Sequence, residues 1–242
     1  MSEYNKYNDL LFAAIKSFIN NVILADKEFI YNLSEYINGK ELKHLSRNIN
    51  IRNKYISDIH SCFVEIQYSM LTLKDTEYYI NCYSYKSKKL SRTRSLRYHI
   101  ENYMQELFIL RERLLLYLKK IDRFYRKDHK YADITKRTKH VSYYVEKSFE
   151  IITPVRGTHV HQRRIYCPEI VRLEYYDVLA TIRKDYIKKH NQEYKKVRRQ
   201  WVKRIKVLNE AISKLMDNYF YHLKKIIFLP DGSLNYPENI KR

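Results

Sequence analysis

The stretch Ile100-Glu101-Asn102-Tyr103-Met104-Gln105-Glu106-Leu107-Phe108-Ile109-Leu110-Arg111-Glu112-Arg113-Leu114-Leu115-Leu116-Tyr117-Leu118-Lys119-Lys120-Ile121-Asp122-Arg123-Phe124-Tyr125 decides the fold. Ile100, Leu107, Leu114 and Ile121 recur every seven residues. Tyr103, Leu110, Tyr117 and Phe124 fall between them, and Met104, Leu118 and Tyr125 broaden the stripe. A half-buried strand alternates every second residue, whereas this period is that of an α-helix with one apolar side. The pattern predicts a long central helix, about His99 to Arg126, packed against other helices at a shallow angle. Asn102, Arg111 and Arg113 are polar groups on it, expected to make ordinary surface contacts.

The same period continues on both sides. Leu11, Ile15, Phe18, Val22, Ala25, Phe29, Leu33 and Tyr36 predict a helix over about Asn5 to Asn38, with Gly39 as its natural stop. Ile56, Ile59, Phe63, Ile66, Met70 and Leu73 predict a second over about Arg52 to Ile80, with His60 beside its apolar face as a packed or surface histidine and not a ligand. Val141, Val145, Phe149 and Ile152 mark another from about Ile134 to Ile152. Pro168, followed by Glu169, opens a fresh helix, because a first-turn proline loses no hydrogen bond and an acid there meets the positive dipole end. Tyr194, Val197, Trp201, Ile205, Leu208, Ile212, Leu215, Tyr219 and Ile226 form the stripe of the last long helix.

Only 3 Gly and 4 Pro occur in 242 residues, too few turn-formers for an all-β chain or a Gly-rich nucleotide loop. The expected class is all-α, a bundle of long helices. Residues 1–90 read as N-terminal helices, an extension or part of the same bundle. Residues 91–229 read as the main helical domain. Residues 230–242 read as a loose tail after the turn at Pro230-Asp231-Gly232.

The formal charge of +20 selects polyanions as partners, namely RNA, DNA or an acidic membrane surface, with binding that weakens steeply in salt. Two stretches concentrate this charge. From Tyr78 to Ile100 there is no acid, and Lys86, Lys88, Lys89, Arg92, Arg94 and Arg97 mix with serines and with Tyr83 and Tyr85. This reads as a basic loop, either a strap that grips an RNA backbone and stacks bases, or a solvated linker. The last helix carries Lys195, Lys196, Arg198, Arg199, Lys203, Arg204 and Lys206, a basic face directed at solvent or phosphate. Cys62, Cys82 and Cys167 are odd in number and far apart, which argues against a disulfide framework and fits a reducing, cytoplasmic location. No apolar run reaches the roughly 18 residues a membrane span needs. Glu3, Asp9 and Lys16 break the pattern of a signal peptide.

One stretch has the residues for chemistry: Thr153-Pro154-Val155-Arg156-Gly157-Thr158-His159-Val160-His161-Gln162-Arg163-Arg164. Thr153 suits a helix N-cap and Pro154 the first helical position. A helix opening there would aim N–H groups and its positive dipole end at an anion. Arg156 can hold a phosphate by two parallel hydrogen bonds, and His161 exchanges a proton near neutral pH. His159, His161 and Cys167 match no zinc spacing, so neither metal nor cofactor is expected.

An all-helical basic chain with Arg-x4-His opening a late helix resembles the HEPN superfamily, the higher eukaryote and prokaryote nucleotide-binding domains. The resemblance covers roughly His99 to Phe228. It implies a helical bundle that dimerises, two facing signatures, and RNA cleavage without a metal. Arg156 and His161 stand at the signature positions as the implied catalytic pair. His159, Arg163, Arg164, Lys88, Lys89, Arg92 and Arg94 are the candidate substrate contacts. Where many active members carry a polar residue after the arginine, this chain has Gly157. The implied activity is an endoribonuclease, of the kind found in toxins and phage-defence effectors, with an antitoxin or regulatory protein as a further partner. The alternatives are a non-catalytic RNA- or nucleotide-binding protein and a helical protein-interaction subunit.

Overall fold

The computed structural model describes residues 1–20, 51–82, 91–150 and 167–238. Six helices are found there: α1 (Glu3–Phe18), α2 (Ile51–Cys82), α3 (Arg92–Tyr125), α4 (Tyr131–Ser148), α5 (Pro168–Ile182) and α6 (Asp185–Ile227). The fold is all-α. An isolated bridge between Phe228 and Leu234 is the one β feature among the described residues. No described helix is long and apolar enough to cross a membrane.

The helix starts follow local chemistry. The Ser2 hydroxyl accepts the Asn5 N–H at 3.2 Å, and Glu3 lies in the first turn of α1. Ser91 does the same for α3, accepting the Arg94 N–H at 3.4 Å. Pro168 and Glu169 open α5 as expected. These caps satisfy N–H groups that have no partner inside the helix.

Three boundaries differ from the sequence reading. The expected basic loop from Tyr78 to Ile100 is helical at both ends, since α2 continues to Cys82 and α3 begins at Arg92. Lys and Arg are good helix formers, so a lack of acids does not break a helix. Thr93, Leu96, Arg97 and Ile100 are all buried, which gives the first turns of α3 an inward stripe. At the other end, α4 stops at Ser148 instead of Ile152, with Phe149 and Glu150 in a turn. The predicted helix over Asn5 to Asn38 lies only partly within the described residues, where α1 runs to Phe18. Gly39 falls outside them.

The chain forms two compact units. Unit 1 comprises Met1–Val64, Leu116–Ser142 and Met216–Arg242, and unit 2 comprises Glu65–Leu115 and Tyr143–Leu215.

The core of unit 1 is built on tyrosine. Tyr7, Tyr55, Tyr117, Tyr125 and Tyr219 are almost entirely buried, beside Leu11, Ile59, Phe63, Ile121 and Phe220. Their rings meet edge-on or tilted, as at Tyr7–Phe220 (4.6 Å) and Tyr55–Phe124 (5.0 Å). Buried hydroxyls need partners, and these find each other. Tyr7 pairs with Tyr117, Tyr55 lies 3.0 Å from Tyr125, and Tyr125 donates to the Asn235 carbonyl. Burial pushes all of these phenols well above their ordinary range, so they stay protonated and can donate.

After α6 the chain turns back on unit 1. The Leu229 N–H donates to Ser233 at 2.9 Å and the Asn235 N–H to Ile227 at 2.8 Å. Asp128 accepts the Lys130 N–H at 2.8 Å and the Glu238 N–H at 3.1 Å. Burial alone would raise this carboxyl, but those two donors outweigh it and hold it below the usual range.

Unit 2 has an aliphatic core. Ile66, Leu73, Leu96, Ile100, Leu107, Leu110, Leu114, Leu173, Val197 and Ile205 are at most 2% exposed. Here α2 and α3 run antiparallel, because Arg113 reaches Glu65 and Ser69 while Tyr79 stacks on His99. α5 buries Ile170 and Leu173 and leaves Tyr175, Val178 and Ile182 exposed.

Candidate nucleic-acid interface

The cationic side of α6 lies in unit 2. Residues 186–209 hold nine Lys and Arg against one acid, Glu193. With 3.6 residues per turn, Lys188, Lys195, Arg199 and Lys206 fall on one side, opposite the inward stripe of His190, Tyr194, Val197 and Ile205. All four cations are exposed, and none forms an ion pair with another described residue. Lys196 and Lys203 flank them and are also exposed and unpaired among the described residues. From 188 to 206 the row spans about 27 Å at 1.5 Å per residue.

Two of the acids near the row are engaged elsewhere, while Glu210, one turn after Lys206, is exposed and forms no ion pair among the described residues. Glu193 binds Arg172 at 3.1 Å, and Glu169 binds Arg204 at 2.8 Å. Glu169 also accepts from the Cys167 thiol at 3.2 Å. Burial pushes that thiol above its ordinary range, so Cys167 is a packed group, not a reactive thiolate. Glu77 accepts from Asn209 at 2.9 Å, and Asn209 accepts from the buried Tyr103 hydroxyl at 2.8 Å.

The start of α3 is clamped to α6 and α5. His190 Nε2 lies 3.0 Å from both Thr93 Oγ1 and Asp177 Oδ1. Ser91 Oγ donates to the other oxygen of Asp177 at 2.8 Å. Serine, histidine and aspartate therefore meet here, but the serine donates to the carboxylate and not to the imidazole. A nucleophile needs its base within reach, so this cluster is a structural clamp. Arg97, largely buried, adds a 2.6 Å ion pair to Glu174.

This clamp presents the two sequence-predicted contacts that the structure describes. Arg92 is exposed and donates to Asn191 at 3.4 Å, which brings it alongside the cationic part of α6. Arg94 is exposed one residue beyond Thr93. The remaining predicted residues, Arg156, His159, His161, Arg163, Arg164, Lys88 and Lys89, lie outside the described residues, as do Tyr83, Tyr85 and Gly157.

An aromatic row absent from the sequence reading lies near Arg94. Tyr98, one helical turn after Arg94, is exposed and meets His99 edge-on at 5.6 Å. His99 stacks on Tyr79 at 5.8 Å with an interplanar angle of 23°, and Tyr79 meets Tyr78 at 6.2 Å. Tyr78 and Tyr79 are exposed as well. Burial holds His99 below its ordinary pKa, which favours the neutral ring at pH 7. Exposed rings beside an arginine provide stacking faces and a phosphate contact together. The signal in the sequence is Tyr78-Tyr79 one face away from an apolar stripe, with Tyr98 placed four residues after Arg94.

No family model, curated protein or solved structure matches the chain.

Proposed function

We propose that this protein binds RNA through unit 2, and that the stretch from Thr153 to Arg164 cuts the bound strand. The observation that carries the binding reading is the unpaired row Lys188, Lys195, Arg199 and Lys206. Cations already paired with carboxylates give little to a polyanion, whereas free ones release its counterions. The rings of Tyr78, Tyr79 and Tyr98 favour single-stranded RNA, whose bases are open to stacking.

The cleavage reading rests on the sequence and on the HEPN resemblance. A base takes the proton of a ribose 2′-hydroxyl, and that oxygen attacks the adjacent phosphorus. The P–O5′ bond breaks and the leaving oxygen takes up a proton. The products are a 2′,3′-cyclic phosphate and a 5′-hydroxyl. His161 would transfer protons, worth roughly 10²–10⁴-fold, and Arg156 would neutralise the phosphorane. A second copy of His161 from a partner subunit would supply the other proton transfer.

The test is incubation of single-stranded RNA with the purified protein in EDTA. Cleavage with a cyclic-phosphate end, lost in His161→Ala while binding persists, is the expected result. Salt-dependent binding with no cleavage would leave a non-catalytic RNA-binding protein. Absence of binding at low salt would leave the helical interaction subunit.

A further inference from the structure

Inside unit 1 the turn between α3 and α4 meets the segment that follows α6. Asp128 and His129 stand in that turn, and Glu238 arrives 110 residues after Asp128. An imidazole nitrogen and two carboxylate oxygens converge there, all within 4.8 Å of one another. No other three His, Cys, Asp or Glu side chains among the described residues come together in this way.

His129 Nδ1 is the centre of the group. It lies 2.6 Å from Glu238 Oε1 and 3.4 Å from Asp128 Oδ1. Two ligands of a tetrahedral zinc ion, each about 2.0–2.1 Å from the metal, stand about 3.3 Å apart. The Asp128–His129 edge already has that length. The Glu238 edge is shorter because the two groups bond directly, and it opens by about 0.7 Å once a metal takes the place of the proton between them. Glu238 is exposed, so its carboxylate can make that shift without disturbing the core.

Asp128 is the fixed ligand. Its side chain is only 5% exposed. Oδ1 accepts the Lys130 N–H at 2.8 Å and Oδ2 the Glu238 N–H at 3.1 Å, and each oxygen keeps a further lone pair. The carboxylate is thus oriented before any ion arrives, which lowers the ordering cost of binding. The same Glu238 N–H bond holds the backbone of the third ligand beside the other two.

The donor set selects the ion. Two carboxylates balance the charge of a dication, and an imidazole ligates in its neutral form. Lys127 and Lys130 flank the turn, but both are exposed, so solvent and salt screen their charge. An imidazole nitrogen favours zinc over calcium, which takes oxygen ligands in greater number. Three protein donors leave the fourth tetrahedral position to water.

We infer that Asp128, His129 and Glu238 bind one zinc ion through Oδ1, Nδ1 and Oε1, and that this ion fastens the segment after α6 to the turn between α3 and α4. The site shares no residue with the RNA-binding surface.

The full chain, stripped with a chelator that is then removed, is titrated with zinc chloride in a calorimeter and followed by thermal unfolding, with calcium chloride as the comparison. Zinc should raise the unfolding midpoint, because it binds the folded chain alone. Calcium should bind at least tenfold more weakly. His129→Ala and Glu238→Gln should each weaken zinc binding at least tenfold and remove most of the rise in midpoint. Both positions are exposed, and a metal-free midpoint like the parent's confirms that each variant is folded. No rise in midpoint up to millimolar zinc overturns the proposal and leaves an ordinary surface ion pair. So does calcium binding as tight as zinc, or a zinc response undiminished in either folded variant.

Discussion

Both units draw on the same supply of 25 tyrosines, and they use most of it differently. In unit 1 Tyr7, Tyr55, Tyr117, Tyr125 and Tyr219 are buried, with hydroxyls of the first four paired to one another or to backbone. In unit 2 Tyr68, Tyr78, Tyr79, Tyr98, Tyr143, Tyr144 and Tyr175 face solvent, and the core is mostly leucine and isoleucine. A phenol is stable inside only if its hydroxyl finds a partner, and three or four neighbouring phenols solve that for each other. In unit 2 the buried Tyr103 meets that need by donating to Asn209 at 2.8 Å, and a tyrosine that finds no such partner stays at the surface. The first arrangement gives stability and the second gives a surface for stacking.

The largest effect should come from truncating the tyrosine core. Tyr7→Ala removes the ring packed on Phe63, Phe220 and Phe228 and orphans the Tyr117 hydroxyl. The expected loss is about 3–5 kcal/mol, read as a lowered urea midpoint. Tyr98→Ala in the same assay should change stability by less than about 0.5 kcal/mol. If the two variants unfold alike, the contrast between the units is wrong.

Next comes the cationic row. Lys195→Glu, Arg199→Glu and Lys206→Glu combined should weaken single-stranded RNA binding at least a hundredfold at low salt. The plot of log affinity against log salt should become shallower by about 0.7 for each phosphate that is no longer neutralised. An unchanged slope would place the RNA elsewhere.

The aromatic row sharpens the contrast from the other side. Tyr98→Ala and Tyr79→Ala should each cost about 1–3 kcal/mol of RNA affinity, with little change in salt slope, because stacking releases no counterions. Duplex RNA of the same length should show a smaller effect.

The smallest effect concerns the turn after α3. Asp128 has a folded pKa below its unfolded value, so its stabilisation is present above about pH 4 and is lost as pH falls through the folded pKa. Asp128→Asn should therefore cost about 1–2 kcal/mol near pH 7 and almost nothing once the native carboxyl is protonated. Denaturation curves at the two extremes of pH measure the difference.

The helix period makes the interior legible. Ile100, Leu107, Leu114 and Ile121 are buried as their spacing requires, and the basic face of α6 lies opposite its apolar stripe. The basic segment from Tyr78 to Ile100 is misleading because a run of cations suggests a loop, while the inward stripe of Thr93, Leu96, Arg97 and Ile100 is too polar to stand out. Spacing places Tyr78-Tyr79 and Tyr98 each outside an apolar stripe, but it does not show that they join in one row with His99, because the two halves sit on different helices. Their meeting depends on the antiparallel register of α2 and α3, which also brings Arg113 to Glu65 and Ser69.

The amino-acid order by itself determined that this chain is helical, basic and amphipathic, since a repeat of three and four residues and a count of charges are local properties. Which tyrosines are buried, which acids are already engaged, and therefore which lysines and arginines remain free for a polyanion, only the tertiary structure decided. Pairing is a matter of distance in space, and residues such as Glu169 and Arg204, or Glu3 and Lys224, come within reach of each other only once the helices have packed.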